Sequence, residues 1–382
     1  MKIEQKQWTS ENSWQTLSSP EAFAPQLVLV FGGRNEIENG ERLSEIQSWY
    51  GNANVLLCST AGEIIDTQVR DNTLSLTAIE FEKTKLEFAE ADIENNGQSR
   101  EKGLEIAQKL PQEGLIHVMV FSDGLKVNGT ALVEGLLEKL PSHVGVTGGL
   151  VGDGADFKKT VLGLNGAPGE GKIILIGFYG DALKVGHGSL GGWDVFGPER
   201  IITRSEGNVL YELDGKSALA LYKEYLGPEA EGLPGTGLLF PLNLKTVSPD
   251  GKETEVVRTL LAVDEEKQSM TFAGDMPQGA HATLMKANFE RLIDGAKGAA
   301  EMSNVSLQTG EPELAILISC IGRKLVLKER IEEETESVKK VLGDQAKMTG
   351  FYSYGEISPV AATEKQCRLH NQTMTITTFK EE

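Results

Sequence analysis

The chain has 382 residues, 40% of them hydrophobic and 24% charged, with a formal net charge of −19 at pH 7. Its length predicts two domains or one large one, with enough apolar residues to bury a core. The acidic excess argues against nucleic acid or an anionic membrane as a partner, because both require a basic face.

The three cysteines, Cys58, Cys320 and Cys367, are odd in number and lack the spacing of a metal site, which is typical of a reduced cytosolic protein. Residues 1–20 are polar and do not resemble a signal peptide. No apolar run approaches the roughly 20 residues needed to cross a bilayer. We therefore expect a soluble, cytoplasmic protein with an N-terminal arm, residues 1–24, that docks back or stays loose.

The first β-α-β unit begins with an apolar strand at 27–31, continues with a helix at 41–50 and ends in a strand at 55–57. Residues 74–88 alternate in polarity and predict one or two antiparallel strands, and residues 99–110 predict a helix. A second unit follows, with a strand at 117–121, a helix at 130–140 and a strand at 144–146. Residues 173–178 and 183–188 then predict a hairpin that turns at Gly180-Asp181.

The composition changes near residue 206, where we place a boundary between domains at 25–206 and 207–382. Beyond it the sequence predicts a strand at 209–213, a helix at 216–226 and a loop at 228–236. Strands are expected near 238–242, 256–263 and 269–272, before a long amphipathic helix at 282–302.

A third unit comprises a buried strand at 314–318, a helix at 329–342 and a strand that opens into residues 348–359, with a tail strand at 369–375. All three units share one plan, which indicates either internal duplication or the general likeness of β-α-β units. The predicted fold is α/β, with repeated β-α-β units forming mixed sheets and two halves around a shared cleft. Ligands bind where the strands of such sheets end.

The third unit supplies most candidate ligand-binding residues. Arg323, beside Ser319 and Gly322, is suited to holding a carboxylate; the alternative is a surface ion pair with a helix glutamate such as Glu332. Tyr352 and Tyr354 share one face of a strand, either as a pocket wall or in cross-strand packing. Glu356, like Glu63 in the first unit, is expected to bind a ligand ammonium group or to cap a helix.

His187 and Trp193 flank several glycines and suggest a lid over a pocket. His187 would be the axial ligand if haem binds, although a lone histidine is more often structural. Cys320 with His370 as base would make a nucleophile, or Cys320 is a small core residue. His370 and Asn371 fit equally well as partners of buried backbone groups.

The glycine turns carry no phosphate-binding sequence of the P-loop type, so nucleotide hydrolysis has no support. We predict no metal site, no enzymatic activity and no required cofactor. The first half would contribute to the cleft through Thr60, Glu63, Thr147, Gly148 and Gly149.

Six blocks together resemble the FIST family, whose members carry a FIST N domain followed by a FIST C domain. They are CSTAGEI (58–64), TGGLVGDG (147–154), YELDG (211–215), SCIGR (319–323), GFYSYGEI (350–357) and LHNQTMT (369–375). The resemblance covers about residues 25–378. Cys320, Ser353 and Asn371 also belong to the candidate ligand-binding residues.

The resemblance implies a sensory, small-molecule-binding protein of bacterial signal transduction. We expect the ligand to be an amino acid or a related small charged metabolite, bound between the two halves. One alternative is a haem-binding nitric-oxide sensor that regulates a histidine kinase, and another is a cysteine-dependent enzyme. The expected partners are the ligand and a histidine kinase or other signalling protein.

Overall fold

The computed structural model describes residues 1–247, 253–363 and 367–382. Three six-stranded mixed sheets, called sheets I, II and III, form most of it, and a nine-stranded antiparallel sheet forms an insertion. The predicted fold class, α/β with mixed sheets, is confirmed. Among the described residues, no helix combines the length and apolar composition that a membrane crossing requires.

The first segment builds sheet I. It contains β1 (Lys2–Thr9), β2 (Ser13–Ser18), β3 (Leu27–Gly32), α1 (Arg34–Ile37), α2 (Gly40–Trp49), β4 (Asn54–Ser59), β5 (Glu63–Ile65), β6 (Gln68–Arg70) and β7 (Leu74–Glu80). The side chain of Asn39 caps α2 by accepting hydrogen bonds from the first free amides of the helix. The N-terminal arm forms the last two strands of sheet I, since β1 pairs with β7 and β2 pairs with β1 at the edge, and Trp8 is buried.

The second segment builds sheet II. It contains β8 (Lys85–Asp92), α3 (Ser99–Ala107), β9 (Leu115–Ser122), α4 (Gly129–Lys139), β10 (Gly145–Leu150), β11 (Leu162–Leu164) and β12 (Lys172–Tyr179). The helices α3 and α4 pack closely through Gly103 and Gly135. A Cβ atom on Gly135 would overlap the carbonyl oxygen of Arg100, so this approach requires glycine.

The third segment begins with β13 (Leu183–Leu190) and then leaves for the insertion. The insertion contains β14 (Asp194–Val195), β15 (Arg200–Glu206), β16 (Val209–Leu213), β17 (Lys216–Ser217), α5 (Ala218–Leu226), β18 (Leu242–Val247), β19 (Glu253–Arg258), β20 (Leu260–Asp264), β21 (Ser269–Phe272) and β22 (His281–Lys286). It has its own apolar core, which includes Leu219, Met270 and Phe272.

The chain then returns to complete sheet III. It forms α6 (Phe289–Leu307), β23 (Leu314–Cys320), α7 (Ile321–Leu327), α8 (Ile331–Leu342), β24 (Lys347–Ser353), β25 (Gly355–Pro359), β26 (Cys367–His370) and β27 (Met374–Glu381). The acidic first turn and basic last turn of α8 oppose the helix dipole, as its sequence indicates.

All three sheets repeat one strand order. Sheet I runs β11-β4-β3-β7-β1-β2, sheet II runs β26-β25-β10-β9-β12-β8, and sheet III runs β6-β5-β24-β23-β27-β13. Each sheet contains one parallel pair of strands. The strands outside this pair at one edge, which are β11 in sheet I, β25 and β26 in sheet II, and β5 and β6 in sheet III, come from a different segment of the chain. The repeated plan seen in the sequence is therefore present in the structure, and the exchange of strands interlocks the three segments.

One apolar core joins the three sheets. The rings of Phe31 in sheet I, Phe121 in sheet II and Phe351 in sheet III meet, with centroids 4.9 to 6.3 Å apart. Apolar residues of the central strands surround these rings and are almost completely buried. The carboxyl ends of the strands therefore face one another across packed side chains.

Two sequence predictions about elements are wrong. The strands β12 and β13 do not form a hairpin with each other, because β12 pairs with β8 and β9 in sheet II and β13 pairs with β27 in sheet III. The helix predicted at 282–302 is a strand up to Lys286, and α6 begins only after Asn288, which caps it. The first error arose because β12 and β13 pair with strands distant in sequence, and the second because only Ala287 and Asn288 separate β22 from α6.

Candidate functional site

Arg323, the residue predicted to hold a ligand carboxylate, lies in the interior at the start of α7 and is 0% exposed. Its guanidinium forms an ion pair with the equally buried Glu334, with 2.7 Å between Nη2 and Oε2. Nε donates to the same carboxylate, and the remaining N–H groups donate to carbonyl oxygens of Gly191, Leu292 and Gln372.

These bonds use all five donors of the guanidinium. The geometry therefore leaves Arg323 no N–H group for a ligand, and the predicted carboxylate-binding role is wrong for this arrangement. The ion-pair alternative is closer, although the partner is Glu334 rather than Glu332 and the pair is buried rather than on the surface.

Ser319 and Tyr352 belong to the same buried network. Their hydroxyl groups donate to Oε1 of Glu334 at 3.1 and 2.7 Å. Burial raises the pKa of the Tyr352 phenol well above its usual value. The network fastens α8 to sheet III, so these two residues have a structural role. The sequence did indicate that Glu334 is on the buried face of α8, because it lies four residues before the apolar Val338 on the same side of the helix.

Glu63 and Glu356 occupy equivalent places in the repeat. Glu63 accepts hydrogen bonds from Thr60 (Oγ1, 2.6 Å) and Thr73 (N, 3.0 Å; Oγ1, 2.7 Å). Glu356 accepts in the same way from Ser353 (2.7 Å) and from Thr373 (N, 3.2 Å; Oγ1, 2.9 Å). Each carboxyl group joins the loop after one strand to the start of another.

Burial raises the pKa of Glu63 to about 7 and that of Glu356 to about 8, because removal from water disfavours the charged form. Neither of the two predicted roles, binding a ligand ammonium or capping a helix, matches these contacts.

The lid predicted from His187 and Trp193 is wrong. His187 lies within β13 and is buried, with Nδ1 2.9 Å from Ser306 Oγ and Nε2 3.3 Å from the carbonyl oxygen of Ala361. Trp193 is buried too, and its Nε1 donates to the carbonyl oxygen of Gln372 at 3.0 Å. Because both ring nitrogens of His187 are engaged within the fold, the residues present do not fit haem ligation.

The remaining buried candidates also make internal contacts. His370 Nε2 lies 2.9 Å from the carbonyl oxygen of Ser358, and Asn371 Nδ2 donates to the carbonyl oxygen of His370. Thr147 Oγ1 lies 2.9 Å from His117 Nε2. Side chains at Gly148, Gly149 or Gly322 would collide with neighbouring groups. The contacts of His370 and Asn371 match the alternative that they pair with buried backbone groups, although Asn371 Oδ1 has no partner among the described residues.

Cys320 is buried at the end of β23, and desolvation raises the pKa of its thiol. A nucleophilic cysteine requires the opposite shift. Among the hydrogen bonds of the described residues, none joins Cys320 to His370.

An inter-domain cavity of about 170 Å³ lies where sheet II, the insertion and the third segment meet. Cys320 and Tyr354, both predicted site residues, line it. Its apolar walls include Leu125, Val127, Leu150, Phe157, Leu238, Leu261, Phe272, Ile321 and Leu369. Phe157 stacks on Tyr354 with ring centroids 4.5 Å apart, and the Tyr354 hydroxyl donates to Asp153.

The polar groups of the cavity are few and uncharged. Thr259 is 4% exposed, and its Oγ1 has no hydrogen-bond partner within the described ranges. Asn128 and Asn208 are held in place, since their amide groups donate to Asp275 and to the carbonyl oxygen of Phe272. Among the described lining residues, none carries a charge. Such a site suits a small neutral molecule with one hydrogen-bonding group.

The predicted cleft is thus only partly present. Cys320 and Tyr354 reach the inter-domain cavity, whereas Thr60 and Glu63 line a separate polar cleft of about 160 Å³ beside Arg34 and Asp153. The other candidates are buried. Sequence reasoning missed Thr259 and Asn208, because neither belongs to a recognisable motif.

The fold and this cavity define a two-part α/β protein in which repeated, interlocked sheets carry an inserted domain, with a small site between the parts. The chain belongs to the FIST family. Residues 26–216 match the family model for the FIST N domain, and residues 218–359 match that for the FIST C domain. FIST domains are assigned a small-ligand sensory role in signal transduction.

The boundary near residue 206 stays a prediction. Residue 206 ends β15, inside the antiparallel sheet of the insertion, and the two family matches meet ten residues later.

No curated protein matches the sequence. Among solved structures, the chain is similar to a cyanuric acid hydrolase from A. caulinodans at 7% sequence identity and a TM-score of 0.37. The match covers 94% of this chain and 90% of the hydrolase. Similarity at this level supports no statement about activity.

Proposed function

We propose that this protein is a sensory protein of signal transduction that binds a small, neutral and mostly apolar molecule in the inter-domain cavity. The main support is Thr259, a residue of the cavity wall whose buried hydroxyl has no partner among the described residues. An unsatisfied buried hydroxyl is unfavourable, so a ligand that bonds to it would recover this cost. The volume of about 170 Å³ limits the ligand to a small molecule.

This proposal revises the expectation of an amino acid or charged metabolite. That expectation depended on Arg323, whose donors are all used within the protein. A charged ligand would also lose its hydration in a cavity whose described lining residues carry no charge, at a considerable cost in free energy.

Ligand binding would bias the position of the insertion relative to sheets II and III. The cavity walls come from α4 and its preceding loop, from β20 and β21, and from α7. A ligand that prefers one arrangement of these walls shifts the population toward it. We propose that a separate signalling protein, such as a histidine kinase, responds to this shift.

We propose binding rather than catalysis. The raised pKa of the Cys320 thiol disfavours the thiolate needed for nucleophilic attack. Haem sensing is the weaker alternative, because the hydrogen bonds of His187 to Ser306 and to the backbone of Ala361 would have to break first.

The test is a thermal-shift screen of neutral probes, for example phenol, indole and benzyl alcohol, on three proteins. Wild type should melt at a higher temperature with at least one probe, by mass action. Thr259→Val should weaken binding about fivefold, as expected for loss of one neutral hydrogen bond. Ala273→Leu, which fills the cavity, should abolish the shift.

Thr309→Val is the matched control, because Thr309 also has an unpartnered hydroxyl within the described chain but does not line the cavity. It should respond to the probes as wild type does. Melting curves that no neutral probe moves, or a shift that survives in Ala273→Leu, would contradict the proposal.

A further inference from the structure

A second cavity of about 330 Å³ adjoins the inter-domain cavity and shares Leu369 with it. We call it the arginine cavity, because Arg258 and Arg368 both line it. Residues of α4, β18, β19 and β26 form its walls, and its other polar lining residues are Thr130, Glu134, Thr246 and Asp275. Arg258 and Thr259 are neighbours in sequence, and they line different cavities.

Arg258 is a buried cation that forms no ion pair with the residues that the structure describes. It is 5% exposed, and within the described ranges no carboxylate oxygen lies within 4.0 Å of its nitrogens. Its Nε donates to the carbonyl oxygen of Asp275, and its Nη1 donates to those of Val257 and Leu369, each at 3.2 Å. The two N–H groups of Nη2 have no acceptor among the described residues.

Arg258 differs from Arg323 in how many of its donors are used within the protein. Arg323 is equally buried, but it has a paired glutamate and five satisfied donors. A buried charge that lacks such a partner is costly to the fold. Arg258, by comparison, retains two donors at the wall of a cavity.

The local backbone is shaped to hold this guanidinium. Gly274 has a φ of +142°, and a Cβ atom there would lie 2.8 Å from Nε and 3.0 Å from Cζ of Arg258. A side chain at this position would therefore meet both backbone strain and a collision. Glycine permits the arginine to lie flat beside the turn that leads to Asp275.

Two further features of the cavity favour negative charge. Thr130, the second residue of α4, has a buried Oγ1 without a partner among the described residues, and it lies at the positive end of the helix dipole. Burial lowers the pKa of Arg258 to about 10; the negative charge of Asp275 opposes this shift, and the like charge of Arg368 adds to it. Arg258 therefore remains charged at neutral pH.

We propose that the arginine cavity binds the carboxylate group of a small organic acid, with the free N–H groups of Arg258 and the hydroxyl of Thr130 as donors. The ligand is held by charge-assisted hydrogen bonds, which are stronger than neutral ones. Asp275 and Glu134 line the same cavity, so a carboxylate that also bears an ammonium group is accommodated. This site is distinct from the one in the proposed function and does not depend on it.

Calorimetric titration of the full chain with acetate, glycine, L-alanine and inorganic phosphate tests the site. At least one of the three carboxylates should bind to wild type. Binding by glycine and alanine without acetate identifies an amino acid as the ligand source, and binding by all three identifies organic acids in general. Binding by phosphate alone, or by no probe, would overturn the proposal.

Substitutions of the proposed donors test whether the carboxylate binds in the arginine cavity. Arg258→Met should weaken carboxylate affinity about tenfold to a hundredfold, and Thr130→Val should weaken it several-fold, because each removes a donor. Thr309→Val, which removes an unpartnered hydroxyl that lines neither cavity, should bind carboxylates as wild type does. Equal affinity in wild type, Arg258→Met and Thr130→Val would overturn the proposal, and Thr130→Val alone still decides it if Arg258→Met does not fold.

The melting temperature without ligand separates this role from a structural one. Arg258→Met should lower the melting temperature much less than Arg323→Met does, because it removes three hydrogen bonds to carbonyl oxygens but breaks no ion pair among the described residues. Arg323→Met is the matched comparison and should melt well below wild type. A fall in Arg258→Met as large as that in Arg323→Met would mean that Arg258 serves the fold, against the proposal.

Discussion

The ion pair between Arg323 and Glu334 holds α8 against the rest of the fold. The pair is fully buried, and Ser319 and Tyr352 complete the hydrogen bonds of the carboxylate. Arg323→Met should destabilise the protein by about 3–5 kcal/mol, because it leaves Glu334 charged and unpaired. Urea unfolding at pH 7.5 measures this as a lower midpoint at unchanged slope.

The double variant Arg323→Met, Glu334→Leu is the control, because it removes both charges together. It should recover most of the lost stability, as expected when a buried pair is replaced by apolar groups. A loss below about 1 kcal/mol in the single variant, within the range of surface ion pairs, would contradict this account.

Glu63 and Glu356 make stability depend on pH. Their folded-state pKa values of about 7 and 8 lie above the ordinary value of 4.5, so the folded state binds protons more tightly than the unfolded state. This contribution is complete below pH 4.5 and is lost as the pH rises through 7 and 8. We expect the free energy of unfolding to fall by on the order of 2–4 kcal/mol between pH 6.5 and 8.5.

Urea midpoints measured across this window test the prediction. Glu63→Gln and Glu356→Gln should each flatten the slope, because an amide does not titrate. His370 contributes little across this window, because its pKa is lowered from 6.5 to about 4 and most of its effect on stability therefore falls below pH 6.5. A midpoint that rises with pH, or a slope unchanged in both glutamine variants, would refute this assignment.

The sequence was least informative about which individual side chains of the site have free hydrogen-bonding groups. Arg323 follows a strand and a glycine, as a ligand-binding arginine often does, but its donors are used internally. Arg258 follows no motif; Gly274 and Leu369 in β26 lie beside its guanidinium, and no described carboxylate forms an ion pair with it. A sequence shows which side chains carry charge, whereas the fold determines which charges lack partners.

The parallel strand pair of sheet III depends on a glycine. A Cβ atom on Gly350 in β24 would overlap the carbonyl oxygen of Leu317 in β23. Gly350→Ala should therefore force these strands apart and cost at least about 3 kcal/mol, comparable to other severe overpacking. Chemical unfolding followed by circular dichroism measures the loss.

Gly40→Ala provides the control, since it lies in α2 and an added Cβ meets nothing within 4 Å. It should change stability by less than about 1 kcal/mol, in line with helix propensity. If both variants lost the same small amount, close contact between the strands would not be what requires glycine at position 350.

Strands with a continuous apolar sequence could be predicted. Strand pairings between distant parts of the chain could not. The strands β3, β9 and β23 appeared as continuous apolar runs because both faces are buried. The pairing of β5 with β24 and of β25 with β10 left no trace in local sequence. For this reason the repeat was recognisable while the exchange of strands between segments was not.

At the scale of the whole molecule, the two cavities lie on either side of one junction between the insertion and the repeated sheets. Arg258 and Thr259 lie at the end of β19, and Leu369 in β26 borders both cavities. A ligand in one cavity therefore contacts elements that also shape the other. Such a junction allows two ligands to influence each other's affinity, by equal factors in both directions.

The labelling rates of Cys320 and Cys367 can be used to probe this junction in the wild-type protein. Cys320 lines the inter-domain cavity and Cys367 lines the arginine cavity, whereas Cys58 lies in the shared core. Burial raises the pKa of all three thiols, so labelling requires local opening. We expect slow modification by N-ethylmaleimide, followed for each cysteine by mass spectrometry of peptides.

A ligand present at ten times its Kd should slow labelling of the cysteine in its own cavity roughly tenfold, by mass action on the closed form. A neutral probe should protect Cys320 and a carboxylate should protect Cys367, while Cys58 serves as the internal control. Equal protection of all three would mean that labelling proceeds through global unfolding, against separate opening of the two cavities. Unchanged labelling of Cys320 at a saturating concentration of a neutral ligand would place that ligand elsewhere on the protein.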